Sequence, residues 1–201
     1  MLLVDVLTTR ASSQANQSAG RIAAVLFVTV LTAIAAQISV PLPFTPVPFT
    51  FQPMIVLLGG VALGARRGLA SQVLYLALGI AGLPVFAASP TLPAGAARLF
   101  GPTGGYLMSY PFAAFVAGWF AERGFDRRYI TVVLAMGAGL VVVFACGVAW
   151  FGFVVQPSLG IGSALAAGVV PFIVPDLLKL LLAAWVLPGL WWLTARRTGT
   201  G

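Results

Sequence analysis

The sequence predicts an all-α integral membrane protein, a compact bundle of six transmembrane helices with both termini cytoplasmic, and three observations carry that prediction. Hydrophobic residues make up 60% of the 201-residue chain and charged residues only 7%, against about a quarter in soluble domains. Mean hydropathy is +1.04. Apolar runs recur between Gly- and Pro-rich breaks, and the basic residues fall in a pattern that puts nearly all of them on one side of a membrane. A chain of this length has room for about six crossings of ~20 residues each. One transmembrane domain is therefore expected over residues 19–195, with a flexible cytoplasmic tail at 1–18, a second tail at 196–201 and no attached ATPase domain.

The elements follow in order. The first 18 residues are polar and lack the continuous apolar run of a signal peptide. The first span starts after Arg21 and halts at Pro41 and Pro43, which cannot continue a helix. Two shorter apolar segments, about Pro53 to Gly64 and Gly68 to Gly82, flank Arg66 and Arg67. The fourth span covers about Gly104 to Ala121, the fifth Tyr129 to Phe151 and the sixth Pro171 to Leu193. The single cysteine, Cys146, has no disulfide partner in the chain and is expected to pack in the core.

With both termini inside, the cytoplasmic regions hold Arg10 and Arg21, Arg66 and Arg67, Arg123, Arg127 and Arg128, and Arg196 and Arg197. Only Arg98 and Lys179 depart from that side. The formal charge of +7 is thus accounted for by topology, and no clustered basic face for nucleic acid remains. Three Gly- and Pro-rich segments face outside: Val40 to Pro53, Leu83 to Tyr106 and Gly152 to Ser163. Irregular backbone there is expected to form a lid or pocket, or else to serve as plain connection.

The sixth span contains PDLLK, with Asp176 and the only lysine of the chain, Lys179, three residues apart. At i, i+3 both side chains leave the same helical face. Ionisable groups in a span are costly and by default mark function; the other reading is a pair that merely neutralises itself. Side by side, a carboxylate and an ammonium suit a small neutral group with donors and an acceptor, such as a urea, amide or pyrimidine. Arg98 precedes the glycine-rich turn Gly101 to Tyr106, which leads into the fourth span. An arginine beside a helix N-terminus suits an anionic group, and a solvated loop arginine is the alternative. GPTGGY lacks the Lys-Ser/Thr of a phosphate loop.

PVPFTFQ in the first outer segment, GLPVFA after the third span, FGPTGGYL before the fourth and PDLLK in the last together resemble the biotin-specific substrate-binding subunits, the BioY family, of energy-coupling-factor (ECF) transporters. The resemblance runs from about Arg21 to Leu193. It implies a six-helix fold in the cytoplasmic membrane of a prokaryote that captures biotin from outside, as cargo and not as a cofactor, and hands it to a membrane coupling protein and two ATPases. By the same resemblance Asp176 and Lys179 bind the ureido head and Arg98 the valerate carboxylate.

The residues supply all three kinds of contact that biotin needs. Phe44, Phe49, Phe51, Tyr75, Phe86 and Tyr106 are apolar candidates around the pocket, Gln52 offers a hydrogen bond, and Gly104 and Gly105 open the helix beside Arg98. No enzyme is expected: the chain has no histidine for a serine or metal hydrolase, and Asp176 lacks a second intramembrane aspartate for a two-aspartate protease. The alternatives are a proton-coupled secondary carrier, for which no inverted repeat is visible, and a substrate-binding subunit for another small vitamin. At the cytoplasmic end of the first span, Ala19 with Ala23 and Gly20 with Ala24 form small-xxx-small pairs. These permit close helix approach, either to a coupling protein or a second copy, or within the chain.

Overall fold

The computed structural model describes Leu2, Asp5, residues 14–89 and residues 93–197, with no side chains described for 159 and 193–197. Most of the expected tails, including Arg10, lies outside the described residues, as do 90–92. The described chain is mostly helical. Helix α1 (Gln14–Gln37) is followed by strands β1 (Ser39–Leu42) and β2 (Thr45–Thr50), then α2 (Gln52–Leu63) and α3 (Ala65–Ile80). After a 3-10 turn at Gly95–Phe100 come α4 (Gly104–Phe120), α5 (Tyr129–Trp150), α6 (Gly160–Gly168), α7 (Val170–Ala183) and α8 (Val186–Arg197).

Among the described residues, three helical stretches are long and apolar enough to cross a membrane: Gln14–Gln37, Tyr129–Val155 and Gly160–Trp192. At 1.5 Å per residue the 24 residues of α1 reach about 36 Å, enough for a bilayer core. The outward faces are apolar: Phe27, Ile130, Val141 and Leu182 are all more than 60% exposed. In water such surface would drive association; in lipid it is the matching face. Helix α1 begins at Gln14, so residues 14–18 of the expected tail are helical. Cys146 lies on one of these outward faces. The expectation of a packed core cysteine is corrected, because in this part of α5 the buried face is formed by its neighbours Val143, Gly147 and Val148.

Helix α4 is the central element and packs against α2, α3 and α5. Small residues make this approach close. A Cβ on Gly60 would lie 2.5 Å from the Ala114 carbonyl oxygen, so α2 and α4 touch backbone to backbone. Gly64, at φ +85°, turns the chain from α2 into α3. The opening N–H of α3, on Ala65, is capped by Glu122 Oε1 at 3.0 Å. At the same end Asp5 pairs with Arg67 at 2.9 Å and with Arg21 at 3.6 Å.

Two segments expected to be irregular have regular structure. Most of Val40 to Pro53 lies in an antiparallel hairpin, with Ser39 opposite Thr50, Val40 opposite Phe49 and Leu42 opposite Thr45, and Gln52 and Pro53 already begin α2. The register breaks between Val40 and Leu42, at Pro41, which has no N–H to donate. A two-stranded ribbon tolerates its other prolines because each strand is an edge. Gly152 to Ser163 is partly helical, since α6 starts at Gly160. The expected sixth span is divided: α7 ends at Ala183 and α8 resumes at Val186. Tyr129 secures this break, stacking on Trp185 at 4.4 Å and donating to the Leu181 carbonyl at 3.2 Å.

Candidate functional site

Helix α7 has its polarity turned inside out. Phe172, Asp176, Lys179, Leu180 and Ala183 are buried, while Val174, Leu178 and Leu182 are exposed. That spacing is one helical stripe, so the i, i+3 pair of the sequence faces the protein interior. Asp176 and Lys179 form an ion pair. Lys179 Nζ also donates to the Thr50 carbonyl at 2.6 Å and sits 3.9 Å above the centroid of the Phe49 ring. All three partners satisfy an ammonium that is only 7% exposed, and two of them belong to β2. The clamp therefore holds the hairpin against α7.

Beside it lies a cavity of about 50 Å³. The hairpin contributes Val47, Pro48 and Thr50, and Gln52 follows at the start of α2. Helix α4 contributes Thr103 at its N-cap, Tyr106, Leu107 and Tyr110; α7 contributes Phe172 and Asp176. Arg98 reaches the same cavity from the 3-10 turn. Its Nε donates to the Pro93 carbonyl at 2.6 Å, and burial draws its pKa below the ordinary guanidinium value. A carboxylate and a guanidinium thus share one partly open, largely apolar space.

The remaining predicted residues stand behind this lining. Tyr75 is fully buried, accepts from Gln52 Nε2 at 2.6 Å and donates to the Val85 carbonyl at 3.1 Å. Phe86 meets Tyr75 edge-on at 5.6 Å, and Gln37 Nε2 holds the Phe86 carbonyl at 3.2 Å. Phe49 lies beneath Lys179 and contacts Phe51, edge to face, at 5.9 Å. Gly104 and Gly105 are packing positions: a Cβ there would run into the Leu99 carbonyl and the Trp150 side chain respectively. Tyr106 donates to the Gly168 carbonyl at 2.8 Å, linking the cavity to the α6–α7 junction. Phe44 is not at the cavity. It sits at the hairpin tip, 64% exposed, because the tight turn at Pro43 and Phe44 points it away from α7.

Thr103, Leu107, Tyr110, Thr50, Val47 and Phe172 were not read from the sequence as lining residues. Part of the signal was there. Thr103, Leu107 and Tyr110 flank Tyr106 at helical spacing, and Phe172 precedes Asp176 by four, so extending each known face by one turn finds them. The hairpin residues had no such signal. Of the small-residue pairs in α1, Ala19 and Ala23 are exposed, Gly20 is half-buried and Ala24 packs partly against the core.

With this geometry in hand, comparison with known proteins is informative. The model of the BioY family matches residues 9–196. The chain belongs to the BioY family. Among the relatives of this BioY chain, the probable biotin transporter BioY of Pyrococcus horikoshii is 42% identical over 154 residues, covering 77% of this chain and 85% of that protein. The biotin transporter BioY of Thermotoga maritima is 42% identical over 159 residues, 79% of this chain and 88% of that protein. The crystal structure of the S-component for biotin from an ECF-type ABC transporter superposes with a TM-score of 0.79 at 28% identity, over 90% of this chain and 94% of that chain. These BioY relatives are named as transporters, not as enzymes.

Proposed function

We propose that this BioY-family chain captures biotin from the external side and delivers it across the membrane as the substrate-binding subunit of an ECF-type transporter. The observation that carries this reading is the cavity shared by Asp176 and Arg98, with apolar and aromatic walls from four helices and the hairpin. Asp176 accepts an N–H of the ureido ring. Lys179 holds the Asp176 charge in place and supports the ureido site from the hairpin side. Phe172, Tyr106 and Tyr110 cover the apolar thiophane ring and chain, and Arg98 takes the carboxylate. Gln52, braced by Tyr75 and Phe86, adds a polar contact, and Phe49 closes the roof. Gly104 and Gly105 allow α4 to start close to the ligand.

Small-molecule sites usually measure roughly 300–1,000 Å³, so ligand entry requires the cavity of about 50 Å³ to widen. The two-stranded hairpin is held to α7 through Lys179, and its displacement opens the site to the outside.

The same reading places the chain in the cytoplasmic membrane of a prokaryote, crossing it six times with both termini inside. Its partners are a transmembrane coupling protein and two ATPases, and self-association through the same small-residue face is the other use of that surface. Ala19, Gly20, Ala23 and Ala24 form the docking face. Biotin is cargo, and no cofactor takes part. Protein purified from biotin-rich medium should release biotin, identified by mass, in near-stoichiometric amount. Failure to retain or rebind biotin overturns the reading, and retention of a different vitamin selects the alternative substrate.

A further inference from the structure

One group at the cavity has no role among the contacts above. Thr103 lines the cavity, is 8% exposed, and its Oγ1 is buried without a hydrogen-bond partner. Native proteins leave few buried hydroxyls unpaired. Its position makes this more informative. Thr103 is the N-cap residue of α4, where a threonine hydroxyl ordinarily turns back to accept a first-turn N–H. Here it makes no capping bond, and its backbone, at φ −90° and ψ −4°, has left the extended region from which such a bond is made. The hydroxyl is therefore available as a donor at the cavity wall.

Two further sources of positive potential share that space. Arg98 lines the same cavity, with its Nε fixed on the Pro93 carbonyl. Helix α4 runs for 17 residues, and its N-terminus, with the first-turn amides, carries the positive pole. We propose that Thr103 contacts the ligand and determines its specificity: its hydroxyl donates to the carboxylate of the bound acid, beside Arg98 and at the start of α4. The inference rests on the biotin reading above and adds a residue to it. Hydroxyl, guanidinium and amide groups are all donors here, and a carboxylate, with two oxygens and about four acceptor sites, can accept from all of them. A carboxamide tail offers a single carbonyl oxygen and turns its own N–H groups toward donors.

The test is equilibrium binding of biotin and of biotinamide to the full-length protein in detergent, for wild type, Thr103→Val and Thr103→Ser. Valine keeps the shape and removes the hydroxyl. It should weaken biotin roughly ten- to a hundredfold and biotinamide by less than about threefold, so the preference for the acid shrinks; serine should remain close to wild type. The ligand-free melting temperature of Thr103→Val should not fall, since the hydroxyl has no partner to lose. Unchanged biotin binding, equal losses for both ligands, or a lowered ligand-free melting temperature overturns the assignment of Thr103 alone. Absence of biotin binding by the wild type overturns the functional reading together with it.

Discussion

Lys179 Nζ donates to the Thr50 carbonyl at 2.6 Å, joining α7 to the hairpin across 129 residues of sequence. Through this bond one ammonium has two duties. It neutralises Asp176, which faces the cavity, and it fastens the strand that roofs the cavity. Loss of Lys179 is thereby felt both in charge and in the position of the hairpin.

Lys179→Met should lower folded yield, because breaking a buried pair leaves a lone carboxylate and typically costs about 3–5 kcal/mol. Hydrogen exchange over residues 39–50 should accelerate, and biotin binding should weaken. Asp176→Asn should weaken binding roughly ten- to a hundredfold through loss of a charge-assisted hydrogen bond. The double change Asp176→Leu with Lys179→Met should recover yield without binding. Tight biotin binding by that double variant would remove Asp176 from the ureido site.

Tyr75→Phe deletes the hydroxyl that joins Gln52 to the Val85 carbonyl. Both partners are then left short of a bond, at about 1–3 kcal/mol for each buried group left unsatisfied. Lower thermal stability and weaker biotin binding should appear together, since Gln52 lines the cavity. Unaltered affinity would show that Gln52 does not need this brace.

Orientation is open to cysteine labelling after Cys146→Ala. Phe44 and Arg127 are both exposed and lie at the hairpin tip and in the α4–α5 connection. In intact cells a membrane-impermeant maleimide should label Phe44→Cys and leave Arg127→Cys untouched. Labelling of position 127 alone would invert the topology.

Ala19 and Ala23 are exposed on α1, so a larger side chain there has room in the isolated protein. Ala19→Leu and Ala23→Leu should leave biotin affinity unchanged and reduce co-purification with the coupling protein, because small side chains set the closest helix approach. Wild-type levels of assembly in both variants would move the docking face elsewhere.

Asp126, in the α4–α5 connection, accepts from Trp191 Nε1 at 3.1 Å and is 2% exposed. Burial raises its pKa above the ordinary carboxyl value, opposed by hydrogen bonds from its own backbone and Trp191 and by the nearby Arg127 charge. The folded state thus holds this proton more tightly than the unfolded state. Its contribution to stability is fully present below the unfolded pKa and is lost as pH rises through the folded one. Asp126→Asn keeps an acceptor for Trp191 and cannot ionise. Melting curves in detergent should show less decline with rising pH for this variant than for wild type; parallel curves would refute the assignment.

Composition and spacing alone determined that this chain lives in lipid, where the fourth and fifth expected helices begin and end, and that Asp176 and Lys179 share a helical face. These follow from local rules: apolar length against bilayer thickness, proline and glycine as helix limits, and a period of 3.6 residues. The motifs FGPTGGYL and PDLLK carried the family as well. Tertiary structure alone decided what each face meets. Nothing in Val40 to Pro53 announces that its prolines tolerate a hairpin, or that Thr50 presents its carbonyl to Lys179, because a backbone acceptor carries no residue-type signature. Cys146 reads as a core residue until the packing of α5 turns it outward; in lipid both faces of a helix are apolar, and hydrophobicity no longer separates inside from outside. Thr103 carries no signal of its own in the sequence, and only the backbone angles at the start of α4 leave its hydroxyl to the cavity.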